Sequence, residues 1–429
     1  MKILLVGSGG REHALADALS RENTAIELIA APGNPGLASL ARTAPVKVGD
    51  LDRLVALAES EQVDLVVVGP EAPLADGLVD RLRLRGVPAF GPTREAAEIE
   101  TSKHVAKSLM DKAGVPTARA ETHRTAQTAH EAVQERFGAP VVIKASGLAA
   151  GKGVIVCHTA QDAHAAIDRI MGERAFGDAG NEVLVEAFMQ GEELSLFALT
   201  DGTDVLTMLP AQDHKRLLAG DEGPNTGGMG AFAPVSLGTP ALVDDVTERI
   251  LLPTLHALRK RGSPFTGLLY AGLMLTEDGP QVVEFNCRFG DPETQAILPL
   301  LESSLLEPML AIARGARIGN RSPLRWRAGA SVTTVVAAAN YPDAPRTGDE
   351  LSLPHDDASR RVYHAGTTRL DDGRLVTSGG RVVAVTGLGA TFEEARRISR
   401  EGAAAVAFEG AQFREDIGWR EAARQRPRP

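Results

Sequence analysis

Apolar positions fall in short runs through the first hundred residues, and helix-spaced stretches separate the runs. Residues 3–6 are an unbroken apolar run followed by a glycine turn, and residues 12–19 carry apolar positions at helical spacing. The pattern repeats, with a strand expected at 26–30, a helix at 51–60, a strand at 64–68, a helix at 78–85 and a short strand at 88–90. Apolar strands alternating with helices predict a parallel sheet that takes ligands at the carboxyl ends of its strands. Two of those ends carry glycine–proline turns, Pro32-Gly33-Asn34-Pro35-Gly36 and Gly69-Pro70-Glu71-Ala72-Pro73.

Beyond residue 100 the pattern is mixed. A helix is expected at 101–112, strands at 141–144 and 154–157, a helix at 161–171 and a strand at 182–186. Residues 191–325 read as strands, a long glycine-rich loop at 219–230, a helix near 240–260 and a hairpin at 268–289. From about 328 the character changes. Strands at 331–339, 362–365, 374–376 and 381–386 and a helix at 391–408 predict a compact α+β tail, with 420–429 frayed. The chain shows neither an internal repeat nor a low-complexity segment.

The 429 residues, 43% hydrophobic and 24% charged, describe a globular chain of about three domains. A net charge of −10 argues against a nucleic-acid or membrane-surface partner, and 4% aromatic residues argue against a single-strand binder that works by stacking. The first residues lack the long apolar stretch of a secretory signal. Cys157 and Cys287 form neither a zinc pattern nor a disulfide framework, which suits a reducing cytosol.

A dinucleotide-dependent dehydrogenase would use the same first turn. Gly7 and Gly9 follow the first strand, but Glu12 stands where the third glycine of G-x-G-x-x-G belongs, and no acid ends the second strand to hold an adenosine ribose. The backbone N–H groups of the turn still suit a phosphate, although a merely tight strand–helix turn would use the same glycines.

Lysine is scarce, nine against 37 arginines. Lys103, Lys144, Lys152 and Lys215 lie in the stretches that look most constrained, as expected where a point charge rather than a planar fork must meet phosphate. Lys144 ends an apolar strand, and Gly147, Gly151 and Gly153 surround Lys152 in the next loop, which has the composition of a phosphate-covering flap. It is not a Walker A loop, since Gly153 follows Lys152. In 281–295, strand alternation puts Glu284, Asn286 and Arg288 on one face and Val283, Phe285, Cys287 and Phe289 on a packed one. Carboxylate and amide oxygens suit a hard cation shared with phosphate, and the arginine beside them suits an anion. Cys287 then reads as a core thiol. Asp213-His214-Lys215-Arg216 opens a loop with five glycines in residues 220–230, suited to wrapping a small anionic ligand.

Together GSGGREHA, APGNPG, VGPEAPL, KASGLAAGKGV, AFGDAG, DHKR, GPNTGGMGAF, YAGLM and VEFNCRFGDPETQ resemble the phosphoribosylamine–glycine ligase (glycinamide ribonucleotide synthetase) family of the ATP-grasp superfamily. The resemblance runs on through YHAGT and SGGRVV to Asp416-Ile417-Gly418-Trp419. Where the family commonly has an acid after the lysine–alanine pair, this chain has Ser146, and LLAGDE after DHKR also departs from the pattern.

The resemblance implies an α/β and α+β multidomain fold. A Rossmann-like, parallel-sheet N-terminal domain would span 1–101, a two-lobed ATP-grasp domain 102–325 with a lid lobe at about 120–190, and a small α+β domain 326–429. It implies ATP-dependent ligation of glycine to 5-phosphoribosylamine through glycyl phosphate, in de novo purine biosynthesis, by a cytoplasmic monomer using Mg²⁺ or Mn²⁺. The implied ATP contacts are Lys103, Lys144, Gly151, Lys152, Gly153, Glu186, Phe188 and Glu193, with the metal on Glu284 and Asn286. Arg288, Lys144 and Asp213 are implied to be catalytic. Asp213, Asn225, Thr226, Gly227, Gly228, Met229 and Asp291 would shape the glycine site. Gly9, Gly10, Arg11 and Glu71 would receive phosphoribosylamine, and Arg288 would also contact substrate.

Overall fold

A computed structural model describes residues 1–22, 24–147, 153–173 and 177–426, without the side chains of 177 and 178. The expected parallel sheet is present. Its order is Arg42–Thr43, Glu27–Pro32, Lys2–Gly7, Leu65–Val68, Ala89–Phe90, all parallel. Along Lys2–Gly7, Ile3 and Leu5 enter one apolar core and Leu4 and Val6 another, so both faces are covered, as an unbroken apolar run requires. The edge strand Arg42–Thr43 escaped the sequence reading because it is two exposed polar residues long. Strand order reverses beside Lys2–Gly7, so the loops after it and after Leu65–Val68 meet at a topological switch point.

The middle of the chain builds two separate sheets. One is antiparallel, in the order Ala120–His123, Val183–Ala187, Val141–Ala145, Val154–Cys157. With helices Ala126–Ala132 and Ala160–Ile167 it buries an apolar cluster of its own, including Val141, Ile143, Cys157, Val183 and Val185. The other runs Val205–Thr207, Glu192–Thr200, Gly267–Thr276, Gly279–Asn286. Helix Lys103–Ala113 leads into this region. Ser102 caps its start, its hydroxyl accepting from Val105 N at 3.3 Å, and Gly114 at φ 66° ends it.

The last sheet runs Gln212–Asp213, Gly230–Ala233, Ala330–Ala337, Arg381–Gly389, Arg360–His364, covered by helix Phe392–Ala404. The tail is thus not closed on itself, because two of its strands come from the middle of the chain. That pairing joins segments about a hundred residues apart, and no local pattern announces it.

Two local expectations are corrected. Residues 420–426 are not frayed: Trp419–Gln425 is a helix whose Arg424 pairs with Glu192 and Glu421. In the hairpin, Gly272 pairs with Glu284 but Leu273 with Val282, so Val283 is an extra residue in its strand. The bulge places Val282, rather than Val283, in the core with Phe285 and Cys287, while Phe289 joins the other core. Among the described residues, no helix is long and apolar enough to cross a membrane.

Candidate active site

The turn after the first strand is filled from within. Gly9 N–H donates to Glu12 Oε2 at 2.6 Å, and Arg11 Nε donates to Glu12 Oε1 at 2.8 Å. A Cβ on Gly9 or Gly69 would fall within 2.7 or 2.0 Å of the Glu12 carboxylate. Glycine is needed here to admit Glu12, which is why position 12 breaks the dinucleotide pattern. This corrects the expectation of a free anion nest at Gly9, whose N–H already has an anion. Arg11 reaches across to the middle of the chain, Nη1 donating to Phe289 O at 2.7 Å.

Past the end of strand Gly279–Asn286, Arg288 is clamped by two acids. Its Nε lies 3.2 Å from Glu71 Oε2 and its Nη2 3.3 Å from Glu100 Oε1. Glu100 also accepts from Cys287 N at 2.7 Å. Burial disfavours the Arg288 charge, but Glu100 and Glu71 outweigh it and push the guanidinium pKa up. Burial likewise opposes ionisation of Glu71, yet Arg288 and Arg11 hold its carboxyl below the ordinary range. Cys287 is buried, and burial pushes its thiol well up, as a core thiol requires.

Glu284 is half-buried and surrounded by cations. Burial would raise its pKa, but Lys215, Lys103, Lys144 and Arg288 together lower it, so it stays a carboxylate. Lys144 Nζ donates to Glu186 Oε1 at 2.7 Å and to Val283 O at 3.4 Å. Lys107 Nζ stands 2.9 Å from the other Glu186 oxygen. Glu186 is therefore an internal counter-charge, and its carboxylate, 2% exposed, is not free to hold adenine as expected; what remains for that role is its backbone. Lys103 Nζ donates to Gly147 O at 3.4 Å, and burial lowers its pKa. Gly153 O accepts from Ala145 N at 2.8 Å. Gly151 and Lys152 lie outside the described residues. Phe188 is 39% exposed, its ring centroid 6.3 Å from that of His158.

Beside the cations lies an acid cluster. Lys215 pairs with Glu193 and stands 4.0 Å from Asp213. Burial opposes the Lys215 charge, but Asp213 and Glu193 raise its pKa well above the ordinary value. Burial pushes the Asp213 carboxyl up, with Glu293 and Glu193 adding to the effect and Lys215 opposing it. Glu293 accepts from Tyr270 Oη at 2.8 Å and from Ser195 Oγ at 3.3 Å.

The loop 225–229 returns over this cluster. Thr226 Oγ1 donates to Lys215 O at 2.8 Å and accepts from Gly228 N at 3.0 Å, and Met229 N donates to His214 O at 2.7 Å. Gly228 has φ 108°, and a Cβ there would meet Pro292 Cδ at 2.5 Å, so only glycine fits. Asn225 ends a strand paired with Arg216. Asp291 is engaged at both oxygens: Oδ1 accepts from Gln295 Nε2 at 2.9 Å and lies 3.2 Å from Arg381 Nη1, and Oδ2 accepts from Arg11 N at 3.3 Å. It holds the three regions of the chain together.

Family models for phosphoribosylglycinamide synthetase match the chain in order: the N domain over residues 1–100, the ATP-grasp (A) domain over 101–294 and the C domain over 331–420. A phosphoribosylamine–glycine ligase of Ralstonia nicotianae is 49% identical over 98% of this chain and 99% of its own. The crystal structure of the phosphoribosylamine–glycine ligase of Thermotoga maritima superposes with a TM-score of 0.84 at 36% identity, covering 97% of this chain and all of that one.

The chain belongs to the phosphoribosylglycinamide synthetase family.

It is an ATP-grasp ligase with the N, A and C architecture of that family, whose members carry out an ATP-dependent step of purine biosynthesis. The fold is shared more widely. A biotin carboxylase domain of Hydrogenobacter thermophilus crystallised with MgADP gives a TM-score of 0.72 at 18% identity, covering 96% of this chain and 91% of that one. ATP-grasp chemistry uses ATP with a divalent metal. The synthetase site fits such an ion: Glu284 is held ionised, and Asn286, buried on the same strand face, adds an amide oxygen. Two hard oxygen donors leave the remaining positions to phosphate and water, the usual arrangement for Mg²⁺.

Four synthetase residues at or around the site escaped the sequence reading: Glu100, Lys107, Tyr341 and Arg381. Glu100 lies two residues before a helix cap and Lys107 one helical turn after Lys103, so helix phase could have flagged both. Arg381 reaches the site from a strand of the shared sheet, and Tyr341 from the turn after strand Ala330–Ala337, its Oη accepting from Gly227 N at 2.9 Å.

Proposed function

We propose that this chain condenses glycine with 5-phosphoribosylamine, using ATP, to give N1-(5-phosphoribosyl)glycinamide, ADP and phosphate through glycyl phosphate. The observation that carries the reading is the convergence of Lys103, Lys144, Lys215 and Arg288 on Glu284, with Lys215 O in turn bonded by Thr226 of the glycine-rich loop 225–229. A glycine carboxylate is a poor acyl donor because its leaving group would be an oxide. Transfer of the γ-phosphoryl makes that leaving group phosphate. The amine nitrogen of phosphoribosylamine then forms the C–N bond as the C–O bond to phosphate breaks.

In this reading Lys103 and Lys144 neutralise the ATP phosphates, with Gly151, Lys152 and Gly153 belonging to the covering loop. The backbone around Glu186 and Phe188 takes adenine, and Glu193, steadied by Lys215, takes the ribose hydroxyls. Glu284 and Asn286 would hold Mg²⁺ or Mn²⁺, which would offset the negative charge of the phosphates. Arg288 stabilises the phosphoryl group in flight, its guanidinium oriented by Glu71, Glu100 and Phe289 O. Asp213 and the loop Asn225, Thr226, Gly227, Gly228 and Met229 enclose glycine. Gly10, Arg11 and Glu71, at the switch point, face phosphoribosylamine. We read the functional units as 1–101, 102–325 and 326–429, in a cytoplasmic monomer whose two cysteines are unpaired.

The test is ADP release with Mg²⁺, with glycine and freshly generated phosphoribosylamine added separately and together. Release that requires both, with an equal amount of glycinamide ribonucleotide formed, is expected. Release with neither required, or only with a different acid or amine, overturns the named substrates.

A further inference from the structure

The C-terminal sheet delivers one side chain into the loop assigned to glycine. Arg381 opens strand Arg381–Gly389, which pairs with Ala330–Ala337, which in turn pairs with Gly230–Ala233, the strand that leaves the loop. From that fixed position Arg381 Nη1 donates to Gly227 O at 2.6 Å and to Asp291 O at 2.7 Å, and lies 3.2 Å from Asp291 Oδ1. Gly227 N donates to Tyr341 Oη at 2.9 Å. Both backbone groups of Gly227 are therefore held by side chains of the C-terminal region. The fit is close, since a Cβ on Gly227 would lie 3.2 Å from Arg381 Cζ and 3.3 Å from Tyr341 Oη. The other anchors of the loop, Thr226 to Lys215 O and Met229 to His214 O, belong to the chain entering it. Among the described residues, no hydrogen bond or ion pair joins Arg381 or Tyr341 to Lys103, Lys144 or Glu186, the groups assigned to ATP.

We propose that Arg381, seconded by Tyr341, is a positioning residue that fixes the shape of the glycine pocket from the C-terminal domain. It acts through Gly227 and Asp291 without touching the reacting atoms. A loop with glycines at 227, 228 and 230 has many backbone states, and a guanidinium bonded to two of its carbonyl neighbours selects one of them. Lysine is not equivalent, because its ammonium sits on a flexible stem and lacks the rigid guanidinium plane that aims Nη1 at Gly227 O and Asp291. The proposal rests on the reading of 225–229 as part of the glycine site.

The experiment measures kcat and the KM for glycine, phosphoribosylamine and ATP in the full-length enzyme and in Arg381→Met, Arg381→Lys, Tyr341→Phe and Thr226→Val. Arg381→Met is expected to raise the glycine KM about tenfold or more while the ATP KM stays within about twofold, the size of losing one or two charge-assisted hydrogen bonds. Arg381→Lys should recover part of that loss. Tyr341→Phe removes one hydrogen bond at nearly constant volume, and should shift the glycine KM in the same direction by a smaller factor; it decides the matter if Arg381→Met does not fold. Equal changes in all three KM values would mark a general structural role and overturn the proposal. A glycine KM that responds to Thr226→Val but to neither Arg381→Met nor Tyr341→Phe overturns the proposal and leaves the loop assignment standing. A glycine KM unmoved by all four variants removes the loop assignment itself.

Discussion

Arg288 Nε is held 3.2 Å from Glu71 Oε2, a contact between residues 217 positions apart. Glu71 begins a helix at the carboxyl end of Leu65–Val68, and Arg288 follows the end of Gly279–Asn286. An acid of the N-terminal domain thus orients the arginine proposed to meet the phosphoryl group, and the centre is complete only when the two regions are docked. Arg288→Ala is expected to leave ATP binding nearly unchanged while lowering turnover roughly 10- to 150-fold, the range for a lost charge-assisted hydrogen bond. Equilibrium binding of ATP measured beside kcat checks this; unchanged turnover removes Arg288 from the mechanism.

Glu186 neutralises two lysines in a closed space, with Lys144 4% exposed and Lys107 12% exposed. Glu186→Ala leaves both ammonium groups without their carboxylate, and should cost about 3–5 kcal/mol of stability. Urea denaturation reads this directly. A loss below about 1 kcal/mol would show that water already shares the load.

His13 and His364 make the fold acid-sensitive. His364 N donates to His13 Nδ1 at 2.9 Å, so His13 must be unprotonated there. Burial, then the neighbouring His364, lowers His13 from 6.5 to about 3, and burial, then Arg369, lowers His364 to about 4. Below pH 6.5 the unfolded chain binds these protons and the folded chain does not. The stability contributed by the two neutral rings is therefore fully present above about pH 6.5 and is lost as pH falls toward 4, with a slope of up to about 1.4 kcal/mol per pH unit for each histidine. Thermal melts from pH 7.5 to 4.5 should show Tm falling on the acid side, and His364→Asn should flatten the fall. Identical slopes in the variant and the parent would assign the acid sensitivity to other groups.

Cys287 is a packing residue. Cys287→Ala should remain active, with stability lower by about 1 kcal/mol, the cost of deleting one buried heavy atom. Loss of all activity in a variant with an unchanged circular dichroism spectrum would contradict that assignment.

Removal of the divalent ion should stop ADP release, and Glu284→Gln should raise the concentration of Mg²⁺ needed for half-maximal rate by about tenfold. The amide keeps the shape and loses the charge that meets the cation. A titration unchanged in the variant would place the ion elsewhere.

Much of this protein is local and therefore legible in the chain. The apolar runs at 3–6 and 64–68, the glycine turns after them, and the alternation of 284, 286 and 288 all depend on neighbours within a few positions, where periodicity and chirality decide. The family motifs are equally local, and they carry the ATP-grasp assignment and the ligase chemistry. What only the tertiary structure decided involves partners far apart in the chain. Glu12 fills the glycine nest that reads as open in sequence, because Gly69 comes in from another strand to wall it. Glu186 faces two lysines rather than a ligand, because Lys107 and Lys144 converge on it from a helix and a strand. The bulge at Val283 moves a valine out of the core, since register is set by the partner strand. Arg381 reaches Gly227 across 154 residues through a sheet whose strands belong to two regions of the chain. Hydrogen bonds and ion pairs of this kind depend on distances of about 3 Å between side chains, and sequence spacing carries no record of such distances once the chain has turned back on itself.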